Sequence, residues 1–78
     1  MKKTECFINL KEIESKKNGK TYFMVNTYRQ DINQVCQNFV DQKLYEELEE
    51  LNLDFGESVE VEYELNAFNK AVLVGITR

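Results

Sequence analysis

Apolar residues in this chain gather in five strand-like stretches, alternating cleanly with polar ones in the fourth, and recur at helical spacing in one further segment. From Glu5 to Ile13, Cys6, Ile8 and Leu10 share one face of an extended segment and Phe7 falls on the other. Ile13 breaks that alternation, which predicts a bulge near Lys11 and Glu12. Asn18-Gly19 follows, a dipeptide that tolerates positive φ and so predicts a hairpin joining the first strand to a second over Thr21 to Gln30. The second strand alternates Tyr22, Met24, Asn26 and Tyr28 against Thr21, Phe23, Val25 and Thr27, with aromatics on both faces. Placing Phe23 and Val25 inward leaves Tyr22, Asn26 and Tyr28 outward with Arg29 nearby; the pattern also admits the reverse.

Asp31-Ile32-Asn33 makes a turn into a third strand, Gln34 to Val40, neither of whose faces is polar throughout. Phe39 either faces outward beside Gln37 or belongs to the core. Asp41 is a good N-cap for a helix over Gln42 to Leu51, on which Leu44, Leu48 and Leu51 form one stripe beside Tyr45, opposite Glu46, Glu47, Glu49 and Glu50. After a reversal at residues 52 to 56, the fourth strand sets Val59, Val61, Tyr63 and Leu65 inward and Ser58, Glu60, Glu62 and Glu64 outward. A loop from Asn66 to Lys70 leads to a fifth strand, Ala71 to Thr77, apolar on both faces and hence expected to be central or covered. Three strands, a helix and two strands is the layout of an OB-type barrel. The expectation is therefore a mainly β, five-stranded OB-like barrel with one short helix between strands 3 and 4, residues 1–78 forming a single OB-like domain.

Charge is segregated beneath a modest net value of −4. Residues 1–40 carry seven basic and four acidic side chains, whereas residues 41–64 carry ten acidic and one basic, so only the first region suits a phosphate backbone. Cys6 and Cys36 lack metal-ligand spacing and histidine is absent, which argues against a metal site, and each thiol reads as a buried small residue. The carboxylates sit at solvent-face spacing with nothing apolar to raise their pKa, and no phosphate-cradling glycine loop or serine nucleophile motif occurs. Neither enzymatic activity nor a cofactor is expected. Two N-terminal lysines without an apolar run, and no stretch of membrane-spanning length, predict a cytoplasmic protein with no membrane association. At 78 residues the core is thin, which favours self-association, so a homodimer is expected as one option.

The segments KEIESKKNGKTYFMVNTY (Lys11 to Tyr28), LNLDFGESVEVEYEL and KAVLVGITR resemble small OB-fold single-stranded-DNA-binding proteins of phages and mobile elements. The resemblance is one of pattern over nearly the whole chain. It implies single-stranded DNA as partner, bound largely without sequence preference, and frequent dimerisation. The residues supply a matching chemistry, because aromatic rings stack on bases and cations meet phosphates. Tyr22, Tyr28, Phe39 and Phe68 are the candidate rings, with Asn26 among them and Lys11, Lys16, Lys17, Lys20, Arg29 and Lys70 as a rim. Phe68 stands out, set in a loop with two asparagines and a lysine, where it either stacks on a ligand or flaps over the barrel end. A competing expectation is an acidic protein-interaction or inhibitor module, a DNA mimic, using helix 42–51 and strand 4 to reach a protein partner. A third is an accessory subunit that docks through sheet edges.

Overall fold

The computed structural model describes all 78 residues. Five strands and one helix follow in the order β1 (Lys2–Glu14), β2 (Thr21–Arg29), β3 (Gln34–Val40), α1 (Gln42–Glu50), β4 (Ser58–Leu65) and β5 (Ala71–Thr77). All strand pairs are antiparallel, in a single sheet of order β3-β2-β1-β4-β5. The sheet is not closed: β3 and β5 are its edges, and they approach one another without exchanging a ladder. No helix is long and apolar enough to cross a membrane.

The hairpin between β1 and β2 forms where Asn18-Gly19 predicts it, although only Gly19 takes positive φ (68°). Asn18 contributes differently, its Oδ1 accepting from Lys20 N at 3.0 Å, so the turn is locked by a side chain as well as by backbone. β1 departs from the expected alternation. Its register shift lies between Phe7 and Asn9 and not near Lys11 and Glu12. Glu5 and Phe7 face the core, contrary to the grouping of Cys6, Ile8 and Leu10, and the extra residue at the bulge then returns Leu10 to the same side. Ile13 ends on the outward face.

Phe7, Val25, Leu48, Val59, Val61, Tyr63, Leu73 and Ile76 make up the core. α1 closes one side of it through Leu48, which is fully buried, with Leu44 and Leu51 packed at the margin and Tyr45 against Phe23, ring centroids 4.8 Å apart. Asp41 caps this helix as its sequence implies, its Oδ1 accepting from Leu44 N at 2.8 Å. Such a cap is worth about 1 kcal/mol. On β4 the pattern holds for Val59, Val61 and Tyr63, but Leu65 is exposed, because the strand has passed the end of the core there. β5 is an edge strand, neither central nor covered. A register shift opposite Glu62 and Tyr63 lets both Leu73 and Ile76 face inward and leaves Val72 and Val74 at the surface.

Candidate nucleic-acid interface

Register assembles a wall from the outward faces of β1, β2 and β3. Met24 lies between Lys11 and Phe39, Asn26 between Asn9 and Gln37, and Tyr28 between Cys6 and Val35, while Ile13 stands opposite Tyr22. Phe39 is 61% exposed and Tyr22 is 40% exposed, and their rings meet edge to face at 6.2 Å. That geometry holds each ring by its neighbour and leaves ring surface open to a third aromatic group. Phe39 therefore belongs to the outward wall and not to the core.

The β1–β2 hairpin is tied to this wall, because Asn18 Nδ2 donates to the Tyr22 hydroxyl at 3.1 Å. Lys16, Lys17 and Lys20 extend from that hairpin and Lys11 from the wall itself. The β4–β5 loop borders the wall at its other margin, where Asn66 and Lys70 share a shallow depression of about 290 Å³ with Gln37 and Phe39. Asn66 Oδ1 accepts from both Phe68 N (2.8 Å) and Lys70 N (3.0 Å), and Asn69 adopts φ 57°. This tight turn holds Phe68 outward, 82% exposed. The chain's ion pairs are Lys2–Glu60, Arg29–Glu5, Arg29–Asp31 and Arg78–Glu57, so none engages Lys11, Lys16, Lys17, Lys20 or Lys70. These five ammonium groups remain available to phosphate.

Two candidate residues are placed differently from expectation. Asn26 is 6% exposed, and its Nδ2 donates to Asn9 Oδ1 at 2.8 Å, so flanking strands cover it. Arg29 alternates with Val25 and Thr27 toward the inside of the sheet, and its guanidinium lies 3.8 Å from buried Glu5 and 3.2 Å from Asp31. Burial disfavours the Arg29 charge, but Asp31 and Glu5 outweigh it and hold the pKa above the usual arginine value. Arg29 is turned inward by alternation with Val25 and Thr27, whereas Asn26 keeps the outward face and is covered there by its neighbours on β1 and β3. Tyr28 is half-buried, its hydroxyl donating to Asn33 Oδ1.

The structure also exposes features that periodicity did not mark. An open apolar groove of about 510 Å³ runs along the β3–β5 seam, between Phe39, Val40 and Leu44 on one side and Val72 and Val74 on the other. Phe55, in the connection from α1 to β4, is nearly as exposed as Phe68. Inside the sheet, Glu5 accepts from Thr27 and Tyr63. The one sequence signal for that cluster is a charged residue at alternate spacing with Phe7 on β1. No three His, Cys, Asp or Glu side chains converge as metal ligands. Compared with protein-family models, curated proteins and solved structures, the chain matches none of them, and its own geometry carries the functional reading.

Proposed function

We propose that this protein binds single-stranded nucleic acid, DNA in the first instance, by stacking bases on Tyr22, Phe39 and Phe68 while unpaired lysines contact the phosphates. The observation that carries the reading is the coincidence of exposed rings on the β2–β3 face with five lysines that have no carboxylate partner. Sheet order supports the fold that goes with it. Five antiparallel strands whose two edges approach without a ladder suit a partly open barrel of OB type, which binds oligonucleotides on the strand 2–3 face and adjoining loops. Stacking tolerates any base, so little sequence preference is expected.

The test is a fluorescence titration of the purified protein with labelled single-stranded DNA at two salt concentrations, with duplex DNA and single-stranded RNA alongside. Binding that weakens steeply with salt and favours single strands supports the proposal, and no binding at low salt ends it. A second reading rests on the carboxylates. Glu46, Glu47, Glu49 and Glu50 on α1 and Glu60, Glu62 and Glu64 on β4 are all exposed, and only Glu60 has a cationic partner, Lys2 at 3.5 Å. Under that reading the acidic side occupies a basic groove of a partner protein, and reversing the charge of Lys16, Lys17 and Lys20 leaves partner capture intact while oligonucleotide binding is abolished only under the first.

A further inference from the structure

The inward face of the sheet is not apolar throughout. Lys3 and Glu5 precede Phe7 on β1 at alternate positions. Thr27 and Arg29 continue from Val25 on β2, Asn38 pairs with Val25 from β3, and Tyr63 follows Val61 on β4. Charged and polar side chains in a core this small oppose folding unless each finds a partner. Some do. The Glu5 carboxylate is 2% exposed, and both its oxygens are engaged: Thr27 Oγ1 donates to Oε1 at 2.5 Å, and the Tyr63 hydroxyl lies 3.1 and 3.0 Å from the two oxygens.

Others do not. Arg29 Nε stays 3.8 Å from Glu5, beyond hydrogen-bond reach, and neither it nor Asn38 Nδ2 makes a hydrogen bond of good geometry, although the Asn38 amide lies close enough to the Tyr63 hydroxyl to favour its ionised form. Lys3 has no carboxylate within ion-pair distance and is partly buried. Lys3, Arg29, Asn38, Cys36 and Tyr63 wall one chamber of about 210 Å³ at the Ala71 end of the β3–β5 seam. Two cationic residues and an amide thus border one space, which Met1 and Ala71 complete. Of the nearby carboxylates, Glu5 is held by hydroxyls, and Asp31, mostly exposed, takes the Arg29 Nη2 on its outer side at 3.2 Å.

We propose that this chamber binds a phosphate-sized oxyanion, with Arg29 and Asn38 donating hydrogen bonds to its oxygens and Lys3 supplying charge. The planar donor array of a guanidinium held in place by other groups suits a tetrahedral oxyanion, and the bond between two charged groups is stronger than a neutral one. Such a ligand satisfies the buried donors that the protein itself leaves unmade. The oxyanion is either free inorganic phosphate or the terminal phosphate of an oligonucleotide, and the first source does not depend on the nucleic-acid reading.

The test is a titration of the ¹⁵N-labelled protein with inorganic phosphate at constant ionic strength, balanced with chloride, following the Arg29 Nε–H and Asn38 side-chain amide resonances. A saturable shift of both is expected, with a melting temperature that rises by roughly 6–11 °C at ten times the dissociation constant. Lys3→Gln and Arg29→Lys should each weaken phosphate roughly tenfold or more. The first removes a group without a partner and the second keeps a cation beside Glu5, so both should fold. Because phosphate stabilises many proteins nonspecifically, the dependence on these variants decides the matter. Shifts that do not saturate, or that are unchanged in Lys3→Gln and Arg29→Lys, overturn the site. In parallel, 5′-phosphorylated and 5′-hydroxyl oligothymidylates identify the source. Tighter binding of the 5′-phosphorylated strand than of both free phosphate and the 5′-hydroxyl strand assigns the strand end, and a response to free phosphate that the 5′-phosphorylated strand does not exceed assigns the ion.

Discussion

Two perturbations of the proposed interface should separate in a way that a generic loss of binding would not. If Lys11, Lys16, Lys17, Lys20 and Lys70 each neutralise one phosphate of a single strand, the logarithm of the binding constant falls against the logarithm of salt with a slope of about −3.5. Affinity then drops roughly 130-fold between 50 and 200 mM salt. Replacing Lys16, Lys17 and Lys20 with glutamine leaves two contacts, a slope of about −1.4 and a drop of only about 7-fold over the same range. These lysines are exposed and unpaired, so their removal should leave folding unchanged. Phe39→Ala acts on the other term. Loss of one stacked base costs about 1 to 3 kcal/mol, or roughly 5- to 150-fold in affinity, at every salt concentration and with the slope preserved. Its cost to stability should be small, since most of the ring is already in water and its edge contact with Tyr22 is worth about 0.5 to 1.5 kcal/mol. The assay is fluorescence anisotropy of a labelled oligothymidylate over a salt series, with urea melts of each variant as control. A wild-type slope shallower than about −1, or a triple variant whose slope matches wild type, would refute the assignment of these lysines to phosphate.

Leu48→Ala should cost about 2 to 5 kcal/mol, read as a lower urea midpoint, because the side chain is fully buried where α1 meets the sheet; a cost below about 0.5 kcal/mol would mean the helix is not docked there. Tyr63 is pushed up to about 12 by burial first and then by its hydrogen bond to Glu5. Its neutral form is the one the fold favours, so that stability is complete below the ordinary value near 10 and is lost as pH rises from there through about 12. The loss should reach about 2 kcal/mol, and Tyr63→Phe should remove both it and the highest-pH step in tyrosinate absorbance; a variant that titrates like wild type contradicts the placement. Glutamine at Glu46, Glu47, Glu49 and Glu50 together should leave oligonucleotide affinity unchanged or raise it, whereas loss of binding would place the strand on the acidic helix.

Much of this fold was legible because its signals are local. Asn18-Gly19 specifies a hairpin through backbone conformation at the turn, Asp41 caps a helix through one hydrogen bond three residues on, and Val59, Val61 and Tyr63 alternate without interruption. The exposed ring of Phe68 was legible for a similar reason, since the asparagines that shape its turn are its own neighbours in the chain. Alternation gave the faces of β2, with Arg29 falling on the same face as Phe23 and Val25 and Asn26 on the other, but not how far flanking strands would cover each residue. For Asn26 the answer came from Asn9, seventeen residues away, and for Arg29 from Glu5 and the inward register of β2. Phe39 could be assigned only once its strand was paired with Met24 and its ring set against Tyr22.

The amino-acid order by itself determined the succession of strands and helix and the positions of the turns, since each depends on residues a few positions apart. Only the tertiary structure decided where the two register shifts fall, which residues of β1 and β5 face inward, that β3 and β5 are unpaired edges, and that Lys3, Glu5, Arg29 and Tyr63 gather at one end of the interior. The physical reason is that a bulge of one residue reverses every later side chain in its strand, and the choice of where to place it is made by the partner strands and the core they must fill.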